Sequence, residues 1–586
     1  MSLAQKQKPD QFVDFNAGPD ANAATGSYDT PPSTNGRDVH GRSPQDTGTL
    51  VVKDEGTSYF DSANWRAILE EVSKINGVKD YIGVYDDDSD HEGAEEDVDG
   101  DTSPALLLGM SRPISKDELL VDIPPRSIAD RLVARFFKTT EPSLSRYLPL
   151  QVSVHILIVT VAVHGPTFQR EYEQFWKNPQ DMSFTWIAYL YAIFALSVSH
   201  YHRSEEPLPL NMVDPISIWK TFRKRSAQGL MQSNYLTPGR YKPEALFLYS
   251  LTEFYRSQDA QAGVSYLFGI LIRLTMRMGY HRDPNHYPSL SPWEGEMRRR
   301  LWALVCQLDI LISFQVGLPR TIQPWQYDTE QPSNLHDTDF DEATMELPPS
   351  RPDSERTACA YTRSKSRIMK VFGQIVDLAF SREQASYDEI LSIDRRLQEA
   401  HDQLPHFLQY QPIGQCIADP TELIMRRYTL ELLYQKSRVV LHRRYMAEPH
   451  SKYSYSRSVC LIAARETLRH HSDVYNESLP GGQLYAERFF MSSLQNTDFM
   501  LSAMILCLEI SQENERENAL MGPQERGDLL CLLETTYRIF KETRHRSVDT
   551  QRGYAALKIM LGRVKGSPAS SDEQNKQIDG ELLFQS

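Results

Sequence analysis

Apolar residues recur every three or four positions from about residue 116 to residue 565, which is the period of an amphipathic α-helix. No series of segments with alternating polarity, the pattern of β-strands, competes with this period. The predicted fold class is therefore all-α, with one large multi-helix domain. Besides the long helix described next, the pattern predicts helices near residues 127–138, 184–200, 243–256, 260–278, 360–380, 386–403, 420–446, 456–475, 484–510, 525–543 and 548–564.

Two stretches carry clear helix start signals, Ser291-Pro-Trp-Glu294 and Asp419-Pro-Thr-Glu422. Each places an N-cap residue before a proline, with a glutamate three residues after the cap. After the first signal the apolar positions continue at helical spacing until Gly317 and Pro319. The pattern thus predicts one amphipathic helix of about 25 residues.

Asp309 is the single formal charge between Leu301 and Leu318 on this predicted helix. An ionised carboxylate in apolar surroundings is costly unless it is paired and hydrogen-bonded. We expect a charge-assisted bond to an arginine on a neighbouring helix, with Arg273 or Arg277 as the first candidates.

Composition divides the chain into five segments. Residues 1–57 are rich in small and polar types and are expected to be disordered, whereas residues 58–84 contain a short helical pattern. Residues 85–115 read as an acidic linker, 116–565 as the all-helical domain and 566–586 as a disordered tail. Within the linker, the apolar run at 105–110 is interpreted as plain linker in preference to an activation segment.

The formal charge of −15 argues against a surface that tracks nucleic-acid phosphates as a whole. Six cysteines without close pairing predict neither a disulfide framework nor a thiolate zinc site. The N-terminus has no apolar signal-peptide core, which favours a reducing compartment. Residues 183–202 lack Lys, Arg, Asp and Glu, but are expected to form a buried helix rather than a membrane span.

Catalytic signatures such as GxxxxGK[ST], HExxH and GxSxG are absent from the sequence. The string Asp86–Asp90 matches the DDxxD magnesium motif of all-α terpene synthases, but no second metal motif accompanies it. No enzyme activity, cofactor or metal site is therefore predicted. Three basic clusters, at 223–225, 298–300 and 442–444, are interpreted as solvated helix faces rather than phosphate contacts. Histidine pairs at 200/202, 281/286 and 470/471 favour surface or core roles.

The stretch from Gly279 to Leu335 resembles the signature of the fungal-specific transcription factor domain, the middle homology region of zinc binuclear cluster transcription factors. The resemblance covers about residues 58–475, and Leu318 stands where the family pattern has an arginine. The matching motif positions are Arg282, Asp283, Arg299, Arg300, Trp302, Asp309, Gly317 and Pro319.

This resemblance implies a regulatory scaffold without catalysis and a location in the nucleus. The family's DNA-reading module needs six closely spaced cysteines, whereas the first cysteine here is Cys306, so direct DNA recognition by that route is not expected. Residues 152–163 are an addition to the family pattern, either a true insertion or a translated intron. If the run is a translated intron, its exposed β-branched residues would favour aggregation, and a chain lacking it is expected to be more soluble.

The predicted function is a nuclear transcription regulator of a metabolic or biosynthetic gene cluster. Its expected partners are the transcription machinery or a DNA-binding regulator, with indirect DNA contact, a small-molecule effector and homo- or heterodimerisation also considered. The alternatives are a helical metal-dependent enzyme such as a terpene cyclase and a protein-interaction scaffold that does not bind DNA.

Overall fold

The computed structural model describes residues 49–53, 56–60, 104–108, 114–138, 160–203, 206–209, 214–256, 262–446, 452–485, 493–514 and 521–564. All of them belong to one unit, Pro44–Ser586. The α-helices of this part of the chain are α1 Ala105–Leu108, α2 Lys116–Leu120, α3 Arg126–Lys138, α4 Gly165–Lys177, α5 Phe184–Arg203, α6 Pro215–Gln232, α7 Lys242–Phe254, α8 Ala262–Arg277, α9 Pro292–Val316, α10 Ala358–Ala379, α11 Tyr387–Asp402, α12 Thr421–His442, α13 Ser454–Glu477, α14 Ser493–Asn514, α15 Pro523–Thr543 and α16 Val548–Val564.

The all-α prediction is confirmed, and most predicted helices lie within a few residues of their expected bounds. The largest shift is in α14, which begins at Ser493, whereas the pattern placed a helix start near residue 484. Two helices of full length, α4 and α6, were not predicted. In α6 the apolar period is interrupted by Arg223-Lys224-Arg225, which conceals the helical pattern.

A β-hairpin near the N-terminal end corrects the predicted boundaries there. Strand β1 is Thr49–Lys53 and strand β2 is Gly56–Phe60, paired antiparallel with Val51 opposite Ser58. Residues 58–60 were assigned to a helix, but β-branched and aromatic residues close to Gly56 favour paired strands. Residues 61–84 and the acidic run at 86–101 lie outside the described residues.

The first four residues of the apolar run at 105–110 do not form the plain linker that was predicted. Residues 105–108 form α1, where Leu106 is buried and its carbonyl accepts a hydrogen bond from the Tyr235 hydroxyl. Ile114 is also buried. Burial of these apolar side chains in the core favours a packed segment over a solvated one.

Helix α5 forms the centre of the N-terminal half, where it packs against α3, α6 and α7. Nearly all of its side chains from Trp186 to Val198 are buried, as predicted for this run. A Cβ atom at Gly229 of α6 would lie 2.9 Å from the Cβ of Ala188, so these helices approach closely through small residues. Among the described residues, no helix has the length and apolarity needed to cross a membrane.

Helix α9 begins and ends as predicted. The Ser291 hydroxyl accepts a hydrogen bond from the Glu294 N–H at 3.2 Å, and the Glu294 side chain accepts the Ser291 N–H at 3.0 Å, which completes a capping box. Gly317 ends the helix with φ of 74°, a left-handed conformation that favours glycine. The helix packs against α8, α10 and the turn Thr160–Ala162.

The second predicted start signal does not act as a cap. Helix α12 begins at Thr421 after Pro420, and no side chain caps it. Asp419 instead accepts a hydrogen bond from the Arg427 guanidinium at 2.6 Å, because that buried cation competes for the carboxylate.

The C-terminal end of the predicted insertion belongs to the core. Val161, Ala162 and Val163 are buried beside α9, whereas residues 152–159 lie outside the described residues. Removal of the whole run would therefore delete core side chains. Loss of these buried side chains is expected to lower stability, whereas the gain in solubility stays a prediction.

Candidate regulatory site

The first polar contact of the motif joins Asp283 to Arg299. The Arg299 guanidinium donates to both carboxylate oxygens of Asp283, at 2.9 and 2.6 Å. The same carboxylate accepts the backbone N–H groups of Asn285 and Glu330. Burial opposes ionisation of Asp283, but these donors outweigh it, and the pKa of the carboxyl is lowered. The pair thus holds two loop segments against the first turns of α9.

The second contact surrounds Arg300, whose side chain is fully buried. It donates to Glu296 at 3.2 Å, to Asp337 at 2.5 Å and to the backbone carbonyl of Leu335 at 3.3 Å. Burial raises the pKa of Glu296, against the opposing effect of Arg300. Burial also acts on Asp337, but there the guanidinium prevails and the pKa is lowered. One cation therefore connects α9 to the loop at 335–337.

His164 extends this network to α4. Its Nδ1 accepts the Thr167 N–H at 3.3 Å and so caps α4, while its Nε2 lies 2.9 Å from the carbonyl oxygen of Asp337. Burial lowers the pKa of His164, which favours the neutral ring that can accept at Nδ1 and donate at Nε2. The capping role of His164 was not predicted from the sequence.

Asp309 has a different partner from the one predicted. Its carboxylate accepts the backbone N–H groups of Thr321 at 3.1 Å and Ile322 at 2.8 Å, and the structure gives it no ion pair with Arg273 or Arg277. Burial raises its pKa, partly offset by these two donors. The prediction of an interhelical ion pair was therefore wrong, because the chain after α9 folds back and supplies backbone donors.

The turn after α9 is held on its other side by a residue that sequence reasoning missed. Arg320 donates from Nε and Nη2 to the carboxylate of Asp377 on α10, and a Cβ at Gly373 would lie 2.7 Å from Arg320 Nη1. Leu318 is 46% exposed within the same turn, which Pro319 continues. The sequence signal for the contact with Asp377 is the basic residue Arg320 itself, two positions after Leu318.

The remaining motif positions divide between interior and surface. Trp302 is buried and makes an edge contact with the ring of Tyr327 at a centroid distance of 5.9 Å. Arg282 is partly exposed and lies 3.6 Å from a carboxylate oxygen of Asp328. The structure thus brings Asp283, Arg299 and Arg300 together, whereas Asp309 lies at the other end of α9.

The three basic clusters are only in part the solvated helix faces that were predicted, since Lys224 and Arg444 are exposed and Arg225, Arg298 and Arg443 are half-buried. Arg223 pairs with Glu253 in the interior, Arg299 and Arg300 are buried as described above, and His442 is buried beside Ser456. Carboxylates on neighbouring elements compensate most of these cations, which allows their burial. His200, His470 and His471 are also buried, and the described residues contain no group of three or more side chains suited to a metal ion.

The motif residues thus hold the loops after α8 and α9 against helix α9 in a largely helical unit. A model of the fungal specific transcription factor domain matches residues 135–404. The transcription factor mpsB of Macrophomina phaseolina, named as Zn(2)-C6 fungal-type, is 33% identical over 551 residues, covering 92% of this chain and 71% of that protein. The chain belongs to this family of fungal transcription regulators.

Two further relatives bear the names of gene-cluster regulators. The equisetin cluster transcription factor eqxF of Fusarium heterosporum is 33% identical, covering 94% of this chain and 79% of that protein. The fusarisetin A cluster transcription factor fsa6 of a Fusarium species is 34% identical, covering 93% of this chain and 72% of that protein. Neither these names nor the family supports the terpene cyclase alternative.

Proposed function

We propose that this chain acts in the nucleus to control transcription of one secondary-metabolite gene cluster. Its relatives include regulators named for the equisetin and fusarisetin A clusters, and the similarity extends over more than nine tenths of this chain. The motif residues bind one another and the backbone, which supports a role as a scaffold. The similarity to these cluster regulators is the observation that carries the proposal.

A fungal strain that lacks the gene tests this proposal. We expect the transcripts of one contiguous set of biosynthetic genes to change, and reintroduction of the full chain to restore them. A fluorescent fusion of the chain should accumulate in the nucleus. The matched control is the Lys370→Gln chain, because Lys370 is exposed on α10 and its change should leave restoration intact. Unchanged cluster transcripts in the deletion strain would refute the proposal.

DNA contact by these 586 residues is proposed to depend on a partner regulator. Direct readout needs side chains presented to base edges by a positioned element. Arg223, Arg299 and Arg300 are buried and paired with carboxylates, and His442 is buried, so Lys224 and Arg444 are the exposed members of the three basic clusters. The formal charge of −15 also opposes binding to phosphates.

A gel-shift titration at about 150 mM salt, where exposed charges are well screened, tests this part. The chain alone should bind a cluster promoter no better than a scrambled sequence, and a nuclear extract should supply the specificity. Tight binding by the chain alone to one sequence would contradict the dependence on a partner. A small-molecule effector and dimerisation are further parts of the proposal.

A further inference from the structure

A cavity of about 620 Å³ lies between α8, the C-terminal half of α9 and the turn at 317–321. Its interior is apolar, with lining from Phe268, Ile272 and Ile312. Three exposed apolar side chains also line it, namely Tyr266 at 62%, Leu236 at 54% and Leu318 at 46% exposure. The volume is within the range of small-molecule sites, which are typically about 300–1,000 Å³.

Two arginines give one side of this cavity a positive charge. Arg273 and Arg277 line the cavity, are exposed, and form no ion pair with any carboxylate of the described residues. Their spacing of four residues on α8 places both guanidinium groups on one helix face. Two neighbouring guanidinium groups without partners are suited to bind one carboxylate.

Asp309, the acidic residue that lines the cavity, forms no ion pair with Arg273 or Arg277 and so does not neutralise their charge. Asp309 is 3% exposed, and its oxygens accept the N–H groups of Thr321 and Ile322. An entering ligand therefore meets exposed arginines first and the satisfied carboxylate last. The combination of a cationic edge and an apolar interior selects for a molecule with one acidic end and one apolar body.

We propose that this cavity binds an amphipathic organic carboxylate, such as a fatty acid, with its acid group on Arg273 and Arg277. Calling the ligand an effector rests on the proposed regulatory function, but binding itself does not. A protein partner fits less well, because specific protein interfaces use roughly 20–30 residues a side. Here only three large apolar side chains of the lining are exposed.

Gly269 allows the cavity to be filled without disturbing the helix. It lies in the lining of the cavity, and a Cβ built there would meet no atom within 4 Å. The substitution Gly269→Leu should therefore place a side chain in open space. Leucine also has the higher helix propensity, so the variant should melt no lower than the original protein.

The binding experiment uses the purified full chain with dodecanoate below its micelle concentration and dodecanol as the uncharged probe. Isothermal titration should give one dodecanoate site per chain. The double variant Arg273→Gln/Arg277→Gln should weaken dodecanoate binding by about tenfold or more and change dodecanol binding little. Gly269→Leu should abolish binding of both probes, while the matched control Gly269→Ala retains it.

Absence of dodecanoate binding would overturn the inference. Dodecanoate binding by the Gly269→Leu variant or the double arginine variant with the same affinity as the original chain would also overturn it. Binding of an acidic amphipathic peptide with no binding of dodecanoate would assign the cavity to a peptide partner and also overturn it. The function is tested separately by cluster transcripts in a strain carrying Gly269→Leu. If the original chain binds dodecanoate but the Gly269→Leu strain controls the cluster transcripts normally, the effector role is contradicted. The binding site itself would then remain established.

Discussion

Two pairs of arginines on neighbouring helices have opposite environments. Arg299 and Arg300 on α9 are buried and bound to carboxylates, whereas Arg273 and Arg277 on α8 are exposed and have no ion pair among the described residues. The difference arises from the loops that follow each helix, because residues 328–337 cover the first pair. A covered arginine organises the scaffold, and an uncovered one remains available to a ligand.

The largest effect in this comparison is expected from Arg300→Met. The substitution would leave the buried carboxylate of Glu296 and the carboxylate of Asp337 without their cation, and loss of one partner of a buried pair costs about 3–5 kcal/mol. Urea unfolding followed by circular dichroism measures this loss. Arg277→Met is the matched control and should change the free energy of unfolding by no more than about 0.5 kcal/mol. Equal urea midpoints for Arg300→Met and Arg277→Met would show that the buried and the exposed arginine contribute equally to stability.

A smaller loss is expected from Asp309→Ala. The change removes the acceptor of the Thr321 and Ile322 N–H groups; Ile322 is buried, and an unsatisfied buried donor costs about 1–3 kcal/mol. Asp309→Asn keeps one acceptor oxygen, so its urea midpoint should lie between those of the original chain and of Asp309→Ala. A urea midpoint of Asp309→Ala equal to that of the original chain would show that these backbone hydrogen bonds do not contribute to stability.

The next effect is a change in pH dependence. The pKa of Asp283 is lowered in the folded protein, so its contribution is complete above the unfolded pKa of about 3.9 and is lost as pH falls through the folded pKa. Asp309 has a raised pKa, so its contribution is complete below about 3.9 and is lost as pH rises through the folded pKa. Arg299→Met removes the donor that lowers the pKa of Asp283.

The Arg299→Met variant should therefore lose less stability between pH 5 and pH 3 than the original chain does. Urea midpoints at the two pH values provide the measurement, with Arg277→Met again as the control. An unchanged difference between the two midpoints would show that Asp283 does not depend on Arg299 for its ionisation.

The smallest effect on stability is expected for Arg273→Gln/Arg277→Gln. Exposed side chains without partners contribute little, so each change should alter the free energy of unfolding by less than about 0.5 kcal/mol. Thermal unfolding without ligand should thus nearly coincide with that of the original chain. A loss comparable to that of Arg300→Met would place these arginines in the scaffold and remove the contrast with the first pair.

Local signals in the sequence predicted much of the fold. The capping box of Ser291 and Glu294 and the left-handed Gly317 set the bounds of α9, because caps and turns depend on residues a few positions apart. The family motif also identified Asp283, Arg299 and Arg300 as special before their contacts were known. The stretch Asp419-Pro-Thr-Glu422 resembles the start of α9, but its aspartate does not cap α12, because the carboxylate of Asp419 binds Arg427 instead.

The sequence by itself determined the helical period, the ends of α9 and the family to which the chain belongs. Only the tertiary structure decided that backbone amides bind Asp309, that Asp337 reaches Arg300, and that Arg273 and Arg277 remain uncovered. The physical reason is the range of each interaction. Helix propensity and capping act within one or two turns, whereas the partner of a buried charge is chosen by whichever segment the fold brings against it.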